Sequence, residues 1–254
     1  MPRPTLSCLV QRHIDTRKLR LPCLCAAVFF AQLCLSAAKA DTTNQLWSVH
    51  AFGLKVGELT LEMDESAERY KGAGSFQTTG LAGVLRSIRF TVSGAGTRNG
   101  SDLKPAKYDG YINTGKRVSE TSLVAKNDLL IKTKGAQSPA TPIAPNRTKG
   151  ALDPMSMMWL SLRDQTDATL CQIEQTQFDG TRLVRITLKT RQPDGDSVTC
   201  SGTYDRIGGY SDEELAELKT SPLSVTYSRE GEFWRATEVR LTSRHGRAKL
   251  IRRD

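Results

Sequence analysis

The feature that most constrains this chain is a repeated alternation of apolar and polar residues in short segments separated by turn residues. Trp47, Val49 and Ala51 share one phase near the start of this pattern. A period of two is typical of half-buried antiparallel strands. Gly53 and Gly57 stand where the phase changes, so we expect bulges there. The pattern predicts a mainly β fold with about twelve strands.

Three short helices are predicted between the strands. Asp153-Pro154 combines an N-cap residue with a proline at the first helical position, and opens an apolar helix over residues 155–162. Ser211 and Glu214 fit a capping box for a helix over residues 212–219. The third helix follows Thr79, and its apolar residues share one helical face: Leu81, Val84, Leu85 and Ile88.

A loop and a hairpin organise the rest of the chain. Residues 135–149 contain three prolines without periodicity, which predicts a surface loop between two β-rich halves of a single domain spanning residues 41–254. Asp179-Gly180 lies between two strand-like segments, which predicts a hairpin with a type I′ turn.

Residues 1–40 read as a signal peptide. A basic segment precedes an apolar run over residues 21–35, which is shorter than the roughly 20 residues that span a bilayer. Ala38 and Ala40 supply the small residues that precede a cleavage site, so we expect cleavage between Ala40 and Asp41 and export of the mature chain. An uncleaved membrane anchor or a buried helix is the alternative interpretation.

The composition of the mature chain is ordinary. Removing residues 1–40 takes six of the 36 Lys and Arg residues and one of the 27 Asp and Glu residues, leaving 30 basic against 26 acidic. This small surplus gives no case for nucleic acid binding. No later stretch is long and apolar enough to predict a transmembrane segment.

Cys171 and Cys200 are the two cysteines that follow the leader. In an oxidising compartment such a pair predicts a disulfide, with two free buried thiols as the alternative. In a flat three-stranded meander the two residues would lie two strands apart, about 9.6 Å, whereas bonded Cα atoms lie within about 7 Å. Cys171 therefore either precedes its strand ladder or belongs to a strongly coiled sheet. Both geometries favour a strongly curled antiparallel sheet or open barrel with two or three short helices.

The sequence offers little catalytic chemistry. His50 and His245 lack metal-ligand spacing, and no G-x-S-x-G segment is present. Gly94-Ala95-Gly96 is followed by neither a lysine nor a helix, so it does not predict a phosphate loop. We predict no catalytic residues, no metal and no cofactor. An envelope hydrolase with dispersed acidic residues is the alternative.

The helix predicted over residues 155–162 is rich in methionine beside an aromatic residue. Pliable thioethers suit an apolar ligand pocket, and they equally suit a helix that fills the interior of a curled sheet. The helix after Thr79 has the same two interpretations, a lid or ordinary packing. The candidate pocket residues are Leu81, Leu85, Met155, Met158 and Trp159.

The last twenty residues are strongly basic. One interpretation is contact with an anionic surface such as lipid headgroups, and the other is protection of an edge strand against aggregation. The basic residues of this segment are Arg235, Arg240, Arg244, Arg247, Lys249, Arg252 and Arg253.

Several short motifs together resemble the exported bacterial proteins that carry domain of unknown function 3108. The motifs cover nearly the whole mature chain and begin at Gly53-Leu54-Lys55-Val56-Gly57, Thr79-Gly80-Leu81-Ala82-Gly83, Leu103-Lys104-Pro105-Ala106, Asp153-Pro154-Met155-Ser156, Phe178-Asp179-Gly180-Thr181-Arg182 and Cys200-Ser201-Gly202-Thr203-Tyr204. The resemblance implies the periplasm of a Gram-negative bacterium and a curled antiparallel fold, and brings no catalytic residues. We therefore expect a noncatalytic periplasmic protein that binds an apolar or amphipathic envelope component, such as a lipid, or an envelope protein.

Overall fold

The computed structural model describes residues 41–85, 87–243 and 246–254. Residues 1–40, with Ala40 of the predicted cleavage site, lie outside the described residues, and Asp41 is the first residue of β1. The strands are β1 (Asp41–Ala51), β2 (Leu54–Glu65), β3 (Arg69–Thr78), β4 (Arg89–Asn99), β5 (Asp102–Asn113), β6 (Val118–Lys126), β7 (Leu129–Lys134), β8 (Ile173–Phe178), β9 (Leu183–Asp194), β10 (Ser197–Gly208), β11 (Thr220–Glu230), β12 (Phe233–Ser243) and β13 (Gly246–Arg252). The helices are α1 (Gly80–Leu85), α2 (Pro154–Leu162) and α3 (Asp212–Glu217), with a 3₁₀ turn at Pro145–Thr148.

All thirteen strands belong to one antiparallel sheet. Neighbours in the chain are neighbours in the sheet, except that β7 and β8 do not pair and β1 pairs with β13. The β1–β13 pairing places Val49 opposite Leu250, so the first and last strands lie in the middle of the sheet. The expected mainly β, curled or open-barrel architecture is confirmed, with one strand more than predicted.

The edges of the sheet, β7 and β8, are joined by the short segment Lys149–Leu152. Lys149 bridges to Leu129 on β7, and Leu152 bridges to Gln177 on β8. The Leu152 N–H donates to the carbonyl oxygen of Thr176 at 2.8 Å. Because this segment satisfies backbone groups that an open edge would expose, it completes a nearly closed barrel. The proline-rich segment predicted as a loop leads directly into it.

The β1–β2 hairpin turns at Phe52-Gly53. Both residues have positive φ, 53° and 79°, as a two-residue type I′ turn requires. Gly53 is therefore a turn residue and not the bulge that the sequence suggested. The register shifts between Val49 and His50, opposite Gly57, so the prediction of a bulge was correct at that second glycine.

Helix α2 lies in the core of the barrel. The side chain of Asp153 accepts from the Ser156 N–H, so the predicted N-cap is present with Pro154 in the first turn. Met155, Met157 and Trp159 are buried. Helix α2 thus packs against the inner face of the curled sheet, and most of the buried apolar side chains form one cluster around it.

Cys171 and Cys200 form the predicted disulfide, with Cα atoms 5.0 Å apart. The β8 ladder begins only at Ile173, opposite Leu188, and Cys171 lies in the turn before it with φ of 56°. Of the two expected geometries, the structure thus has Cys171 ahead of its ladder. The thirteen-stranded sheet is strongly curled as well.

The predicted hairpin after β8 is present, but its predicted turn type is wrong. Phe178 pairs with Leu183, which leaves a four-residue connection. Asp179 Oδ1 accepts from the backbone N–H groups of Thr181 at 2.8 Å and Arg182 at 2.6 Å. Because the Asp179 side chain organises this connection, the two positive φ angles of a type I′ turn are not needed.

Candidate functional site

A row of polar side chains crosses the outer face of the barrel over four strands. His50 pairs opposite Lys249, and Lys249 pairs opposite Arg240. Arg240 pairs opposite Ser224 on β11. Neighbouring residues in each strand, including Val49, pack into the core. Because successive side chains of a strand point to opposite faces of the sheet, the side chains of this row point outward.

This row lies in an open groove of about 990 Å³, which we call the basic groove. The groove lies at the end of the barrel where the β1–β2 hairpin turns. The side chains that define it are those of His50, Phe52, Ser224, Arg240, Arg247 and Lys249.

The basic groove carries a surplus of positive charge. Glu238 pairs with two of these cations, with Oε1 2.6 Å from Arg240 Nε and Oε2 3.6 Å from Lys249 Nζ. One carboxylate therefore faces two cations, and Arg247 adds a third. The Arg240 side chain is 68% exposed and can rearrange toward a ligand. Cations with this freedom suit a phosphate or carboxylate group.

An apolar hairpin tip borders the basic groove. Phe52 is 79% exposed and Leu54 is 71% exposed. The Phe52 ring lies over Gly246, where an added Cβ would approach Phe52 Cε1 to 2.8 Å. Glycine at this position thus lets the ring rest against the start of β13. The groove combines cations with exposed apolar groups, which is the chemistry of an anionic amphiphile site.

A second groove, of about 800 Å³, lies on the outer face of β1–β6 and is rich in hydroxyl and carboxyl groups. Thr60 and Ser75 share a hydrogen bond of 2.8 Å across β2 and β3. Asp109 accepts from Ser122 Oγ at 2.6 Å, and Glu120 pairs with Lys134 Nζ at 2.6 Å. Both carboxylates therefore already have partners.

The most deeply buried carboxyl group belongs to Asp153. Ser156 Oγ lies 2.5 Å from Asp153 Oδ2, and Tyr70 Oη lies 2.7 Å from Ser156 Oγ. Burial raises the pKa of Asp153 above its ordinary value of 3.8, against the opposing effect of its hydrogen bonds. Because Asp153 and Ser156 are fully buried, this chain of hydrogen bonds anchors α2 and does not reach a substrate.

Of the residues proposed for an apolar pocket, Met155, Met158 and Trp159 do not line the basic groove. Met155 and Trp159 are buried within the core, and Met158 is partly buried against it. Leu81 and Leu85 belong to α1, and their side chains are not among those the structure describes. The described contacts of α2 are those of a helix that packs inside the barrel.

The described residues show neither a metal centre nor a membrane-spanning helix. Residues 41–85, 87–243 and 246–254 contain no group of three or more His, Cys, Asp or Glu side chains arranged to hold a metal ion. No helix in this part of the chain is long and apolar enough to cross a bilayer. His245, one of the two histidines considered above, lies outside the described residues.

These features define a class of protein: an antiparallel meander curled into a nearly closed barrel around a buried helix. The chain belongs to the DUF3108 family, described as a protein of unknown function, whose model matches residues 46–207. This match confirms the family resemblance seen in the sequence. No curated protein matches.

Among solved structures, the chain is similar to a beta-barrel-like protein of domain of unknown function DUF1849 from Brucella abortus. The two chains share 10% sequence identity, and the match covers 85% of this chain and 96% of that chain with a TM-score of 0.46.

Sequence reasoning found only part of the basic groove. The basic residues Arg240, Arg247 and Lys249 stood out as a C-terminal cluster, whereas Phe52 and Leu54 did not. An apolar pair around a hairpin glycine was the available clue, since residues at a turn usually lie at the surface.

Proposed function

We propose that this protein is a noncatalytic periplasmic protein that binds an anionic, amphipathic component of the cell envelope in the basic groove. The observation that carries the proposal is the row of His50, Lys249 and Arg240 beside the exposed ring of Phe52. Cations attract the headgroup, and the apolar tip accepts part of the hydrocarbon chain. The predicted leader supports a location in the periplasm.

The packing of the barrel favours the outer face as the binding surface. Met155, Met157 and Trp159 occupy the interior that a lipid carrier would keep empty. We therefore move the expected amphipathic ligand from the methionine-rich helix to the basic groove. The envelope component meets the protein from outside the barrel.

Two of the described carboxylates, those of Asp167 and Asp153, support a noncatalytic role. Hydrogen bonds from Trp234, Arg229 and Arg191 lower the pKa of Asp167, which suits a structural anion more than a general acid. Asp153 has a raised pKa but lies in the core.

A hydrolase of envelope glycans is the alternative function, and one pair of residues favours it. Asp109 lies opposite Ser122, and Glu120 is two residues along the same strand. Such diagonal positions are roughly 7–8 Å apart, within the range of about 5–9.5 Å that glycosidase carboxylates use. Hydrolysis of peptidoglycan fragments that is lost in Asp109→Asn and in Glu120→Gln would establish this alternative and contradict the noncatalytic proposal.

Calorimetric titration of the mature protein with a short-chain phosphatidylglycerol, kept below its micellar concentration, tests the binding proposal. We expect saturable binding that weakens at least about tenfold in Arg240→Glu/Lys249→Glu. The matched control is Lys104→Glu/Lys107→Glu, which reverses two exposed charges on β5 and should bind like the wild type. Equal affinities of both double variants would contradict the proposal.

A further inference from the structure

We propose that the hairpin tip and the basic groove together dock the barrel onto the surface of a bilayer containing anionic phospholipids. This inference rests on the proposed function and adds that the lipid is bound while it remains in the membrane. It identifies the surface of the barrel that contacts the bilayer and the orientation of the barrel on it, which the basic groove alone does not define.

The position of Phe52 and Leu54 is the first ground for this inference. They flank Gly53 at the β1–β2 turn, where 79% and 71% of their surfaces remain in water. A hairpin tip can enter the interface between headgroups and acyl chains without unfolding the barrel. Exposed apolar side chains at such a tip are typical of membrane-interaction sites.

The charges beside the tip are the second ground. Lys55 follows Leu54 directly, and its ammonium pairs with Glu58 at 2.6 Å. Arg247 and Lys249 lie on β13, which is the direct neighbour of β1. Long basic side chains around an apolar tip can reach phosphate groups while the tip enters the bilayer. This arrangement complements an anionic lipid surface.

The acidic helix α3 sets the orientation. Asp212, Glu213 and Glu214 form its first turn, in the connection between β10 and β11. β11 is separated from β1 by β12 and β13. An anionic surface repels this helix, so the barrel should tilt and approach the membrane on the β1–β2 side.

Co-sedimentation of the mature protein with vesicles tests this docking. We expect sedimentation with phosphatidylglycerol vesicles and little with phosphatidylcholine vesicles. Phe52→Ser/Leu54→Ser and Arg240→Glu/Lys249→Glu should each weaken it at least about tenfold. Phe233→Ser/Val124→Ser is the matched control, since both residues are exposed apolar positions outside the hairpin tip.

Insertion of the tip can be followed directly. In Phe52→Trp, vesicles with brominated acyl chains should quench more tryptophan fluorescence than in the wild type. In Phe233→Trp, the quenching should equal that of the wild type. If short-chain lipid binds in solution but vesicles do not, or if Phe52→Ser/Leu54→Ser sediments like the control, docking is wrong and the proposed function stands. If neither lipid form binds, both are wrong.

Discussion

Gly72 on β3 lies directly opposite Gly94 on β4, and helix α2 rests against this pair. A Cβ added at Gly94 would lie 3.2 Å from both Met155 Cβ and Asp153 Oδ1. A Cβ at Gly72 would meet Met63 Cε on β2 first and would lie 2.9 Å from Met155 Cε. The absence of side chains at two opposed positions is thus what lets the sheet accept a helix inside it.

Replacing Gly94 by valine should destabilise the protein, because its side chain enters space held by Met155 and the N-cap of α2. Overpacking of this kind costs about 1–3 kcal/mol. Urea unfolding provides the measurement. Ala95→Val is the matched control, since residue 95 faces the opposite side of the same strand. Equal stability of the two variants would show that the glycines do not seat the helix.

The disulfide should stabilise the second half of the barrel without a chemical role. Replacing both Cys171 and Cys200 by serine should lower the free energy of unfolding by roughly 2–4 kcal/mol, because the unfolded chain loses a constraint. The folded variant should keep its circular dichroism spectrum. Peptide mass spectrometry without reduction checks the bond, and two free thiols in protein isolated from the periplasm would contradict it.

Asp153 should make stability depend on pH. Burial raises the pKa of Asp153 in the folded state. Its contribution to folding stability is therefore complete below pH 3.8 and is lost as pH rises through the folded-state pKa. Asp153→Asn keeps an N-cap oxygen and removes the titration. We therefore expect the variant to gain stability relative to the wild type as pH rises above 3.8. A stability difference that is constant with pH would show that Asp153 titrates normally.

Much of the fold could be predicted from the sequence because its causes are local. Alternation predicted the strands, and Asp153 and Ser211 marked helix starts that the structure confirms with side-chain caps. Two cysteines after a predicted leader were enough to predict their bond. Each of these inferences depends on neighbouring residues or on the even number of cysteines after the leader.

What could not be predicted depends on contacts distant in sequence. The pairing of Val49 with Leu250 joins the two ends of the domain, and no local pattern specifies it. The positive φ of Cys171 follows from tertiary structure. The basic groove is assembled by that same pairing, since it brings His50 beside Lys249. Sequence reasoning therefore found the cations but not the surface that they form.

The predicted leader should be removed before Asp41. N-terminal sequencing of protein from the periplasmic fraction should read Asp41-Thr42-Thr43. A carbonate wash should release any membrane-associated fraction, because the mature chain is expected to attach only through its surface. A start more than a few residues away, or retention after the wash, would mean that residues 1–40 were misread.

Chemical-shift mapping by NMR is the most direct test of where the protein binds. On titration with monomeric short-chain phosphatidylglycerol, the largest amide shifts should fall on His50, Ser224, Arg240 and Lys249 of the basic groove. Methyl resonances of Met155 and Met157 should stay unchanged, since α2 fills the interior. Shifts concentrated on those methionines, or on Thr60 and Ser75 of the second groove, would contradict the account.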